Sequence, residues 1–497
     1  MAHKTAEFDE LVLKTIHKWK VPGLSIAVVE GDEIFAKGYG LATLHGQKCT
    51  NETIFDLASA SKTITAAAVA CLVDNKGYPN VQWTTSMSKL LPDDFVLEDP
   101  DYTKHVTVED ILSHRSGIPR HDESYLGIRA RMPDNAKSMT RNLRNLPLNK
   151  PLRTTYQYNN IMYTVATHLI ETLTGEKYAD FIRTNIWEPL GMSDTYHDLP
   201  GIEHEPAKER LATGYRWDKA KGEYITIPSV SQPEGYGAGC IFSTATDAAK
   251  WVRALLRQTQ PFSETTHEDL VTPRAIIPMQ FELPFYSQPL YALGLIVETY
   301  RGRRVIGHDG DVTGFKAMIR YMPELDWGIV ILGNSDGAFY AEQILSHVLM
   351  DAMLNVPENE RVDWSKFWHD WEKDDEAESK KDEIDLKLRS PQISEPLDVP
   401  IGSLVGKYYN AGYKGLVLEM KDGKLFANCD DRGFPFVLRF THHLRRTFVV
   451  ESEDTWSGST RKMKAEFRIG QGESVDALGM GLVEEMEDYF IWFTRVS

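Results

Sequence analysis

The chain has 497 residues, 42% of them hydrophobic, with 55 Lys and Arg against 72 Asp and Glu, a net charge of −17. Such a length holds two or more domains with sizeable cores, and the acidic balance argues against nucleic acid or an anionic membrane surface as partner. Cys49, Cys71, Cys240 and Cys429 are scattered, with neither Cys-x-x-Cys nor Cys/His ligand spacing, so neither a zinc site nor a dense disulfide framework is implied. No apolar run approaches the roughly 18 residues of a membrane span, and Met1 to Lys20 is charged and helix-like. The expectation is a cytoplasmic protein in a reducing setting, without membrane, nucleic-acid, metal or cofactor partners.

Phe8, Leu11, Val12 and Ile16 recur at helical spacing until Val21-Pro22-Gly23 stops the pattern. Leu24 to Glu30 and Glu33 to Gly40 flank Gly31-Asp32 and predict a hairpin. The next segment, Ile54 to Val69, contains Ser59-Ala60-Ser61-Lys62 at the opening of a helix that is apolar nearly all round. Ser59 then lies where free backbone N–H groups favour developing negative charge, and Lys62 one turn on is within reach of its hydroxyl. That is a nucleophile and its activator. A capped, solvated helix is the plainer reading of the same four residues.

Thr107 to Ile118 reads as a short helix closed at Gly117, with His114 and Ser116 at its end as backbone-binding residues. Residues 124–155 are basic and polar, with few apolar positions in phase, and predict a solvated helical excursion or lid. Tyr158-Asn159-Asn160 precedes an apolar helix from Ile161 to Thr174, where its side chains can point into a cleft or serve as a cap and a surface ring. The glycines of Gly235 to Gly239 lack a strand-to-helix context, so a nucleotide loop is rejected. Leu290 to Thr299, Arg303 to His308, Phe315 to Met322 and Gly328 to Asn334 are β-rich, and a helix from Phe339 to Leu354 follows. Strands at both ends and helices between them suit one antiparallel sheet with helices packed on it.

Trp364, Trp368 and Trp371 mark one face of a further helix, which runs into mixed charge from Glu372 to Glu383, a linker or helix surface. From Gly402 onward short alternating runs and tight turns predict a small all-β domain, a barrel, with strands at Lys414 to Met420, Lys424 to Asn428, Phe436 to Phe440, Thr447 to Val450, Met463 to Ile469 and Tyr489 to Thr494. The expected division is 1–355, a linker at 356–400, and 401–497.

With these segments placed, the chain resembles the serine β-lactamase and penicillin-binding-protein family, in its esterase, D-aminopeptidase and acyltransferase branch. Ser59 to Lys62 looks like the family's Ser-x-x-Lys, Tyr158-Asn159-Asn160 like its Tyr-x-Asn, and His308-Asp309-Gly310 like the His-x-Gly that replaces Lys-Thr-Gly in that branch. The resemblance covers about residues 10–355, and the tail looks like the lipocalin-like domain that some members append. It implies an α/β (α+β) fold with an antiparallel sheet, and an acyl-enzyme on Ser59. Lys62 and Tyr158 would share the proton traffic, and Asn160 would hold Lys62 or the substrate amide. The backbone N–H groups of Ser59 and Asp311, beside His308 and Gly310, would receive the oxyanion. Whether Lys62 or Tyr158 is the main base stays open. His308 is only partly charged near neutrality and Asp309 would repel a carboxylate, which argues against efficient β-lactam hydrolysis.

Three functions follow from these residues. The first is a serine hydrolase cleaving an ester or amide of a small molecule or short peptide, D-residues included. The second is an acyltransferase passing the acyl group to an alcohol or amine, and the third a ligand-binding protein that kept the fold without catalysis. The partners expected are a small-molecule or peptide substrate, with a homo-oligomer open, and the tail domain would shape either the cleft or the oligomer interface. Asp309 and Asp311, unless they pair with Arg303 or Arg304, would favour neutral or cationic acyl donors.

Overall fold

Along the strand Gly23–Glu30, Leu24, Ile26 and Val28 enter one apolar layer while Ala27 and Val29 enter another, the two-residue period of a strand buried on both faces. Trp327–Gly333 splits the same way, with Ile329 and Ile331 in the first layer and Val330 and Leu332 in the second. A computed structural model describes residues 2–202, 206–279, 282–375, 395–471, 474–486 and 489–496. Most of the charged stretch from Glu372 to Glu383 lies outside the described residues.

The two strands belong to an eight-stranded antiparallel sheet in the order Glu33–Gly40, Gly23–Glu30, Trp327–Gly333, Phe315–Met322, Arg303–Val312, Ile296–Tyr300, Leu290–Tyr291 and Ala275–Ile276. Helices Ala6–Lys18 and Ala338–Met353 cover one face together with the buried Trp364 and Trp368. Helices Ser61–Asp74, Asn160–Thr174 and Ala245–Arg257 fill the other layer. This is the antiparallel sheet with packed helices that the sequence predicts. Ser61–Asp74 is buried on every side, as its continuous apolar run requires: Ile64, Val69 and Leu72 are at most 1% exposed. Truncating one of them to Ala costs about 2–5 kcal/mol.

The tail forms a closed barrel of eight antiparallel strands, Gly406–Asn410, Lys414–Lys421, Lys424–Cys429, Phe436–Leu444, Thr447–Asp454, Thr460–Ile469, Val475–Met480 and Ile491–Arg495. Two of these, Gly406–Asn410 and Val475–Met480, escape the sequence reading because they are short and hold Gly in place of a clean apolar alternation. Leu418, Leu425, Leu438, Phe440, Phe448 and Phe467 fill the interior, so the barrel is a packed core and not a channel. All four cysteines are free thiols, and among the described residues no helix is long and apolar enough to cross a membrane.

The segment 124–155 is not the solvated excursion that its basic composition suggests. Its helix Ala136–Asn142 buries Ala136, Met139, Thr140 and Asn142. Its cations meet acids from elsewhere in the chain: Arg141 pairs with Asp94, and Arg153 lies 2.8 Å from the fully buried Asp110. The segment and its approach also carry the barrel. Gly127 N–H donates to Asp431 O at 2.9 Å, Gly433 N–H to Tyr125 O at 3.0 Å, and Asn142 Nδ2 to Gly412 O at 2.9 Å. His121 Nδ1 meets the Tyr413 hydroxyl at 2.6 Å. Charge counted along the sequence predicted solvation, whereas the distant acids and backbone carbonyls decide otherwise.

Candidate active site

Ser59 sits in a 3₁₀ turn, Ala58–Ala60, directly ahead of helix Ser61–Asp74. The turn is tight. Ala58 takes a left-handed φ of 46°, uncommon for a residue with a Cβ, and its N–H donates to Asp56 Oδ1 at 2.7 Å. Strand Arg303–Val312 runs against this turn so closely that a Cβ on Gly310 would lie 2.1 Å from Leu57 O. Only glycine permits that approach, which gives a physical reason for the glycine of the third motif and brings Asp311 beside Ser59.

Lys62 is fully buried, and its Nζ lies 2.9 Å from Ser59 Oγ and donates to Ala238 O at 2.7 Å. Burial, helped by the nearby Arg120 charge, holds its pKa well below the ordinary lysine value. The Ala238 carbonyl is set by Gly237, whose φ of 83° and absent Cβ let the loop press onto Tyr163 O and Thr167. Tyr158 lines the same cleft as Ser59, with Lys62 Nζ 4.8 Å from its ring centroid. Burial raises the Tyr158 pKa above the ordinary phenol value despite the nearby Ser59 hydroxyl and Arg120 charge, so the phenol keeps its proton. His114 lies behind it, ring centroids 4.3 Å apart, and its Nδ1 accepts the Asn159 N–H at 3.1 Å. That is the backbone-binding role expected at a helix end.

Asn160 opens helix Asn160–Thr174 and lines the cleft, but its amide donates to the Asp122 carboxylate at 3.3 and 3.4 Å and not to Lys62. His308 Nδ1–H donates to Asp309 O at 2.7 Å, which leaves Nε2 to accept the Tyr291 hydroxyl at 3.0 Å. Burial and the Lys62 charge push its pKa down to about 3. His308 is therefore neutral, where its unperturbed pKa had implied partial charge.

The acids beside it are compensated as well, and by neither Arg303 nor Arg304. Asp311 faces Lys316 across the strand pair at 2.5 Å, and Asp309 meets Arg320 at 3.2 Å. Both cations sit on Phe315–Met322, the strand that follows. Lys316 stands directly opposite Asp311 and Arg320 lies diagonally from Asp309, both within cross-strand reach, so register, which the sequence does not display, chose the partners.

These groups line a cleft of about 810 Å³ that also holds Asp56, Arg120, Asp122, Glu123, Glu234 and Glu342, none of which the sequence reading singled out. Buried carboxyls here resist ionisation: desolvation lifts Asp56 to about 7 and Glu234 to about 8, and raises Glu342. The barrel supplies part of the wall through Phe434, Phe436, Ser452, Thr460 and Arg461, the last held by Glu123 at 3.0 Å. Local pattern carries no signal for such residues, since a strand position facing a cleft alternates like any other. Chemically, the arrangement offers a hydroxyl touching a buried amine, a protonated phenol at the same hydroxyl, and a partly apolar, half-covered space.

A serine turn packed on an antiparallel sheet, with a lysine and a tyrosine beside it, fits the β-lactamase-fold class of enzyme. The family profile described as Beta-lactamase matches residues 8–348, and a domain of unknown function (DUF3471) matches residues 392–495. The chain belongs to the Beta-lactamase family and is an enzyme of its serine-hydrolase type. It is 35% identical to an unguisins hydrolase of Aspergillus campestris, over 98% of this chain and 91% of that one. It is 24% identical to Penicillin-binding protein 4* of Bacillus subtilis, over 69% of this chain and 75% of that one. Among solved structures, an octameric penicillin-binding protein homologue from Pyrococcus abyssi matches with a TM-score of 0.61 at 21% identity, covering 99% of this chain and 100% of that one. A D-amino acid amidase from Ochrobactrum anthropi SV3 matches with a TM-score of 0.57 at 23% identity, over 72% of this chain and all of that one.

Proposed function

We propose that the protein is a serine hydrolase that forms an acyl-enzyme on Ser59 and cleaves an amide or ester in a peptide-like small molecule. The observation that carries this reading is Lys62, wholly buried with its Nζ 2.9 Å from Ser59 Oγ. Burial that lowers the Lys62 pKa makes its ammonium readier to give up a proton, and the amine so formed is placed to take one from the Ser59 hydroxyl. Lys62 takes the Ser59 proton as Oγ attacks the carbonyl carbon, and the N–H groups of Ser59 and Asp311 receive the oxyanion. Tyr158, a phenol at rest, gives its proton to the leaving nitrogen or oxygen as the C–N or C–O bond breaks, and is reprotonated from Lys62. Water then attacks the ester along the same proton path in reverse, freeing the acid and Ser59. This assigns Lys62 as the base and Tyr158 as the acid.

A neutral His308 offers no cation to the carboxylate that β-lactams carry, which supports a different substrate. The Aspergillus relative is named for hydrolysis of unguisins and aligns over nearly the whole chain, barrel included, so a compound of that kind is the substrate we favour. Intact-mass analysis after a fluorophosphonate should show one adduct, absent in Ser59→Ala. A Ser59→Ala protein that labels at the wild-type rate, or an adduct on Ser61, would overturn the assignment.

A further inference from the structure

Among the described residues, the other cations lining the cleft are all committed. Lys316 is held by Asp311 and Asp336, and Arg461 by Glu123 and the Leu482 carbonyl. Arg120 differs. It lies in the loop after the short helix Val108–Leu112, exposed on the cleft floor, with its guanidinium 4.9 Å from the centroid of the Tyr158 ring. It makes neither an ion pair nor a hydrogen bond among the described residues; Asp122 and Glu485 act on it only from a distance. A guanidinium seated on an aromatic face keeps its in-plane N–H groups, a fork matched to two oxygens.

The surroundings favour an anion more than the sequence implies. Asp309 and Asp311 are neutralised by Arg320 and Lys316, while burial lifts Glu234 to about 8 and raises Glu342. We propose that Arg120 is a specificity-determining residue that takes a carboxylate of the substrate in a bidentate contact and so places the adjoining scissile carbonyl against Ser59 and Tyr158. The proposal rests on Ser59 as nucleophile, and it names a substrate bearing a free acid group near the bond that is cut. It reverses the preference for neutral or cationic donors that Asp309 and Asp311 imply when read without their partners.

The test uses the full-length protein and the p-nitrophenyl esters of hexanoic acid, adipic acid (monoester) and 6-aminohexanoic acid, matched in length and differing in terminal charge. The readout is the ratio of kcat/KM for adipyl over hexanoyl ester, because loss of the guanidinium from the Tyr158 face lowers both rates together. In Arg120→Gln that ratio should fall about tenfold, about 1.4 kcal/mol, chiefly through KM, while the aminohexanoyl ratio rises. Arg120→Lys, which keeps the charge without the fork, should fall between the two and covers the case in which the glutamine protein folds poorly. Ratios within threefold of wild type in both variants would overturn the proposal and leave Arg120 as support for Tyr158 alone. The failure of the catalytic reading is separately visible, as absence of an acyl adduct on Ser59 of the wild-type protein with the hexanoyl ester.

Discussion

Gly310→Ala tests how the third motif positions the site. A methyl at this position would lie 2.1 Å from Leu57 O and 3.2 Å from Ala317 Cβ. Ordinary carbon-to-oxygen contact begins near about 3.3 Å, so the strand carrying Asp311 and the turn carrying Ser59 must separate by about 1 Å. A misplacement of that size costs on the order of 10²-fold in rate, while the strain of one extra methyl costs about 1–3 kcal/mol of stability. The backbone of Gly310 is not left-handed, in contrast to glycines such as Gly314 with φ +88, so alanine adds bulk without conformational strain. Stopped-flow labelling with a fluorophosphonate gives the acylation rate, and urea denaturation gives the stability. Gly415→Ala, with nothing within 4 Å and no positive φ, is the control and should match wild type in both. Acylation of Gly310→Ala within threefold of wild type would show that the close approach of strand and turn does not set the oxyanion geometry.

The lowered Lys62 pKa fixes two outcomes by sign. The amine is the competent base above its folded pKa, so the acid limb of kcat/KM should lie well below the ordinary lysine pKa; an acid limb near that ordinary value would refute it. Between the folded value and about 10.4 the unfolded chain binds the extra proton, so burial of Lys62 costs stability that returns as pH rises. Lys62→Met should therefore be inactive yet more stable than wild type at neutral pH, and equal or lower stability in denaturant melts would contradict that. Asp309→Asn and Asp311→Asn, whose charges are already paired, should each change the adipyl-to-hexanoyl ratio less than about threefold; a tenfold change in either would restore the acid wall as a selector. We propose a domain boundary in the stretch 356–400, and limited proteolysis should cut first between residues 372 and 400. The fragments should then co-elute on gel filtration because the bonds from Tyr125, Gly127 and Asn142 hold the barrel; separate elution would refute that docking.

Local chemistry made much of this protein legible. The apolar run required a buried helix, and the three-residue step of Ser-x-x-Lys allowed a hydroxyl and an amine to meet at its start, where Ser59 Oγ and Lys62 Nζ lie 2.9 Å apart. Alternating apolar residues at both ends of the first 355 positions required a sheet, and tight turns after Gly402 required an all-β tail. These properties repeat within two to four residues, so a sequence displays them. Tertiary structure alone decided the rest. Segment 124–155 became a docking surface because acids and carbonyls from elsewhere in the chain met its cations and amides. Asp309 and Asp311 found Arg320 and Lys316 through strand register, and His308 lost its charge through burial beside Lys62. Arg120, Glu234 and the barrel residues Phe436 and Arg461 reach the Ser59 cleft from three segments far from it and from one another in the sequence. Electrostatic field and burial depend on distance in space and on excluded water, and neither has a period along the chain.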